Sequence, residues 1–110
     1  MQSASEILFD ALADPTRRQV IELLGARPMR AGELASATRL SRPAMSRHLR
    51  ILLKAGVVDD DRPVTDARGR LFRLRPGALE PVRTWMNQVQ AQWDAQLRAF
   101  KRHAERVVRE

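Results

Sequence analysis

Residues 41–56 read SRPAMSRHLRILLKAG, and their spacing fits one helix with two unlike faces. At about 100° per residue, Met45, Leu49 and Leu52 fall in one narrow arc, while Arg42, Ser46, Arg47, Arg50 and Lys54 spread over the other side. Ser41 offers an N-cap oxygen, Pro43 falls in the first turn where a missing amide hydrogen costs little, and Gly56 supplies the stop. Such a helix is anchored by its apolar side, and its arginines and hydroxyls suit the groove of DNA. Arg42, Ser46, Arg47 and Arg50 are the candidate DNA contacts; an arginine on guanine discriminates by about 1 to 3 kcal/mol. Ser41 is a candidate cap and phosphate contact. Taken by itself, the same stretch equally describes a solvated basic face on an ordinary core helix, so its neighbours must decide.

Upstream, SEILFDALA (residues 5–13) is a short amphipathic helix, and Asp14 and Pro15 then cap and start a second helix, TRRQVIELLG, closed by Gly25. Residues 27–30 with Pro28 form a linker, and GELASATRL supplies a third, short helix with Leu34 and Ala35 inward. So short a turn before Ser41 makes residues 31–55 a helix-turn-helix. Downstream the period changes, and Val57, Val58, the DDDRPVTDARG stretch and RLFRLR read as a β-hairpin over 57–75. Asp66 and Gly69 give turn chemistry, Pro63 keeps one strand short, and Arg68 and Arg70 are candidate DNA contacts of this basic wing. From about residue 79 to 108 a long helix carries apolar residues in steps of three and four: Val82, Met86, Val89, Trp93, Leu97, Phe100, Ala104 and Val107. It is longer than so small a domain can cover. Its stripe is therefore read as a dimer face anchored by Trp85, Trp93 and Phe100, with a pocket lined by Trp85, Met86 and Trp93 as the lesser alternative.

The chain has 110 residues and a formal net charge of +7, a size that fits one domain. Of its twenty basic residues only Lys54 and Lys101 are lysines, and arginine suits bidentate contact to phosphate and guanine. It has no cysteine, which excludes disulfides, thiolate metal sites and cysteine nucleophiles. His48 reads as a half-buried packing or hydrogen-bonding residue and His103 as a solvated one; two isolated histidines make no metal or catalytic centre. No nucleophile with its base, carboxylate pair or phosphate-binding glycine loop is present, so the expectation is a non-enzyme without cofactor or metal. No apolar run approaches a membrane span and the N-terminus is acidic and amphipathic, so a cytoplasmic protein with no membrane partner is expected.

The order helix, helix, helix, helix, hairpin, helix is mainly α with a small β-hairpin. Together with ALADPTRRQVIELL (11–24), GELA (32–35), SRPAMSRHLRIL (41–52), AGVV (55–58), and GR then FRL (69–74), it resembles the ArsR-type winged helix-turn-helix transcriptional regulators over nearly the whole chain. The resemblance implies a homodimer formed through the first and last helices, with Ile7 and Leu8 joining Val82, Trp85, Met86, Val89, Trp93, Leu97 and Phe100. It implies an inverted-repeat operator in double-stranded DNA and, usually, repression. In many relatives a metal or ligand releases the DNA. Metal-sensing relatives carry cysteines after Glu-Leu in the third helix, where this chain has Ala35 and Ala37. A second family site on the last helix needs Asp-x-His spacing, which Asp94, His103, Glu105 and Glu110 do not supply. An effector small molecule or protein stays open.

Two functional readings follow. One is a sequence-specific homodimeric repressor, autoregulatory where it controls its own promoter. The other keeps the fold as a protein-interaction module without a defined DNA site, supported by the acidic run Asp59–Asp61 at the base of the wing and by Leu53 within the polar arc.

Overall fold

Helix starts are set by short polar side chains that satisfy otherwise unpaired amides. The computed structural model describes residues 2–61 and 69–109. Ser3 Oγ accepts from the Glu6 amide while the Ser3 amide donates back to Glu6 Oε2, a capping box that opens α1 (Ala4–Leu12). Asp14 Oδ1 accepts from the Thr16 and Arg17 amides at 2.7 and 3.2 Å and opens α2 (Pro15–Ala26), with Pro15 in its first turn. Helix α2 runs through Gly25, where the sequence placed its end. Its stop is Arg27, extended at φ −168°, because the following Pro28 disfavours helical backbone.

The expected linker over 27–30 is corrected as well. Met29–Arg30 form a short strand, β1, which pairs antiparallel with β3 (Leu71–Leu74) through Met29↔Phe72 and Arg30↔Leu71. Strand β2 (Val58–Asp60) pairs with the other side of β3, so the two-stranded wing is part of a three-stranded sheet ordered β1-β3-β2. A two-residue strand shows no alternation to read, and Pro28 just before it hides the signal.

The helix-turn-helix consists of α3 (Ala31–Thr38) and α4 (Arg42–Lys54). Arg39 ends α3 in the left-handed region, φ 61° and ψ 34°, and the Leu40 amide bonds back to the Ala35 carbonyl at 3.0 Å. At the end of α4, Gly56 takes φ +76° and the Val57 amide reaches the Leu52 carbonyl at 3.0 Å, turning the chain into β2. The core gathers side chains from α1 to α4 and the sheet, among them Leu8, Val20, Leu24, Leu34, Met45 and Phe72. Leu8 is only 2% exposed. It points into this core rather than outward, so it drops out of the proposed dimer face, for which it was a candidate.

Helix α5 (Glu80–Arg109) contributes no fully buried residue. Val82 packs partly on the core, and Trp85 meets Phe9 of α1 edge-on with ring centres 5.1 Å apart. Beyond them the stripe is open, with Leu97 60% and Phe100 71% exposed. No helix among the described residues is long and apolar enough to cross a membrane.

Candidate nucleic-acid interface

Helix α4 is divided as its sequence spacing requires. Met45, Leu49 and Leu52 are 0, 2 and 0% exposed, and Ser41, Arg42, Ser46, Arg47, Arg50 and Lys54 are all exposed. Ser41 Oγ accepts from the Ala44 amide at 3.2 Å and is the N-cap. The Arg42 guanidinium folds back over α3, close enough to Gly32 that a Cβ there would lie 3.1 Å from Nη2.

Leu53 does not stand free within the polar arc. It is half-buried against the core and, with Ala31, Ser46, Leu49, Arg50, Arg70 and Phe72, lines a cavity of about 300 Å³ between α4 and the sheet. The acidic run is engaged inside the wing too. Asp59 Oδ1 accepts from Arg75 Nε at 3.2 Å, Asp60 pairs with Arg70, and Asp61 Oδ1 accepts from the Leu71 amide at 2.7 Å. These carboxylates hold β2 to β3. Arg70, a candidate DNA contact, is thereby drawn inward, with its guanidinium over the Phe72 ring at 5.3 Å from the centre. Arg68 lies outside the described residues, as do Pro63 and Asp66.

Three features of this region escape a reading of the sequence. Arg39, exposed in the turn directly before Ser41, holds a backbone conformation that usually goes to glycine or asparagine. Arg17 and Arg18 fold back from α2 onto the end of α1, donating to the carbonyls of Asp10, Ala11 and Leu12. Arg17 Nη1 also lies 3.3 Å from Nδ1 of His48, the half-buried histidine of α4. A pair of arginines just after Asp-Pro, close to a helix end that has no glycine cap, is the signal that could have found this clamp. Among the described residues no group of three or more acidic or histidine side chains is placed to hold a metal ion.

The comparisons with known proteins agree with this architecture. Residues 14–60 match the family described as bacterial regulatory protein, arsR family. The transcriptional repressor SdpR of Bacillus subtilis is 44% identical over 81 residues, covering 72% of this chain and 84% of SdpR. An ArsR-like transcriptional regulator from Rhodococcus sp. RHA1 is 31% identical with a TM-score of 0.74, over 90% of this chain and 88% of that one. The homodimeric winged helix-turn-helix DNA-binding domain Mb0332 of Mycobacterium bovis is 26% identical with a TM-score of 0.59, over 86% of this chain and 82% of that one. The chain therefore belongs to the ArsR family, as a DNA-binding winged helix-turn-helix transcriptional regulator without metal-sensing cysteines.

Proposed function

We propose that the protein is a homodimeric repressor of an inverted-repeat operator, its own promoter among the targets. The carrying observation is α4, whose core face is closed to solvent while Arg42, Ser46, Arg47 and Arg50 stay open on the other side. In the dimer the two copies of α4 enter successive major grooves about one helical turn apart. Ser46, Arg47 and Arg50 read base edges, Ser41, Arg42 and Arg39 serve the phosphates, and Arg68 carries the wing's contact. Arg70 braces the wing instead. The dimer face is the open stripe of α5, from Trp85 and Met86 through Trp93 and Leu97 to Phe100, with the half-buried Val89 among them and Ile7 and Phe9 of α1 beside it. Repression is supported by the similarity to SdpR, and pairing by the similarity to the homodimeric Mb0332 domain.

The interaction-module reading loses both its supports, since the acidic run is spent within the wing and Leu53 is half-buried. Selection from a random duplex library, followed by footprinting on the chain's own promoter, tests the repressor reading. A palindromic site should emerge and be protected, and Arg47→Ala should lose the preference for it over scrambled DNA. Equal affinity of the unaltered protein for selected and scrambled duplexes would sink the proposal.

A further inference from the structure

We propose, on the footing of the DNA-binding role above, that Arg17 is a positioning residue that fixes the recognition helix α4 against α1 through His48. One guanidinium holds three acceptors. Arg17 Nε donates to the Ala11 carbonyl at 2.7 Å, Nη2 donates to the Asp10 carbonyl at 3.1 Å, and Nη1 lies 3.3 Å from His48 Nδ1. Arginine has no lone pair to offer and keeps its proton in proteins, so His48 must be the acceptor. The imidazole is then neutral, with its hydrogen on Nε2 and its Nδ1 lone pair aimed at Arg17.

The placement of these groups gives the contact its consequence. His48 lies on α4 between the exposed Arg47 and the buried Leu49, at the border between the outward and inward faces. A bond at that border resists rotation of α4 about its own axis, the motion that would turn Ser46, Arg47 and Arg50 away from a groove. Its other anchor is the C-terminal end of α1, the helix whose Phe9 packs on Trp85 of α5. Thus Arg17 ties the angle of the recognition helix to the pair of helices that carries the dimer face. The planar fork is essential, since lysine would keep the charge but could not span the three acceptors.

The test compares Arg17→Lys, His48→Leu and His48→Asn, the last of which keeps an acceptor near the place of Nδ1. Affinities are measured for the duplex selected by the unaltered protein and for a scrambled duplex, alongside sedimentation and thermal melting. Arg17→Lys and His48→Leu should each weaken binding to the selected duplex by roughly 5- to 150-fold, the usual range for coupling between sites. Binding to scrambled DNA and the sedimentation behaviour should stay as they are. His48→Asn should recover most of the loss. The proposal is overturned if Arg17→Lys binds like the unaltered protein, if it weakens both duplexes equally, or if His48→Asn is no better than His48→Leu. Imidazole ¹⁵N shifts of the unaltered protein give a second readout that needs neither DNA nor a variant. An Nε2–H ring with an accepting Nδ1 is expected, and a proton on Nδ1 would refute the contact whatever the operator proves to be.

Discussion

At Asp14 one carboxylate starts a helix and titrates because of it. Burial pushes the carboxyl up, but hydrogen bonds from the Arg17 and Thr16 amides, with the charge of Arg17 nearby, outweigh this and hold it below its ordinary value of 3.8. A depressed folded-state value means that the stabilisation is complete above 3.8 and fades as pH falls through the lower folded value. Asp14→Ala should therefore cost about 1 kcal/mol in urea melts at pH 7, and the difference from the unaltered protein should shrink when the melts are repeated near pH 3. Arg39 makes the opposite case, since its left-handed backbone is a local cost. Arg39→Gly should raise stability by up to about 1 kcal/mol in the same melts while weakening DNA binding, because an exposed cation proposed above for the phosphates is lost. The caps Asp14 and Ser41 were legible in the sequence because each acts within three residues of itself. The Arg17 contact to His48 spans 31 positions and Arg39's backbone depends on the helix crossing, so neither could be read from local pattern.

Among the elements, α4 was the most legible, since its period of 3.6 and its two caps agree, and the sheet was the least. β1 is two residues long, and its pairing with β3 is set by tertiary contact rather than by alternation. The wing shows why a count of charges misleads. Asp59, Asp60 and Asp61 look like an obstacle to DNA in the sequence, yet each fastens β2 or its flank to β3 or the residues beside it. The Asp60 side chain is 6% exposed and that of Arg70 33%, so this pair is the least hydrated of the three. Removing one partner leaves the other charge poorly compensated, and Asp60→Ala should destabilise by about 1 to 2 kcal/mol after allowance for the partial exposure of Arg70. Asp59→Ala, whose pair with Arg75 is open to water, should change stability by no more than about 0.5 kcal/mol. Equal losses for the two in denaturant titrations would contradict this ranking.

At the scale of the molecule the shape itself argues for a partner. The extents are 76 × 28 × 24 Å and the radius of gyration is 20.3 Å. A compact domain of this length would have roughly 13 Å. The excess comes from α5, whose 30 residues at 1.5 Å each run about 45 Å, while the nine-residue α1 can cover only its first turns. Trp93, Leu97 and Phe100 stay at 60, 60 and 71% exposure on a stripe that a second copy would close. Phe100→Asp, at a site so open in the single chain, should leave the fold intact and give a monomer in sedimentation. The same variant links assembly to DNA. Each protomer brings the three cations proposed above for the backbone, Arg39, Arg42 and Arg68, so a dimer displacing counterions from about six phosphates should show a slope of log affinity against log salt near −5. A monomer with one recognition helix meets half as many phosphates, and Phe100→Asp should show about half that slope between 50 and 200 mM salt, together with a large loss of affinity. A full slope from a proven monomer would mean that one copy makes all the contacts, and the exposed stripe of α5 would then need a different occupant.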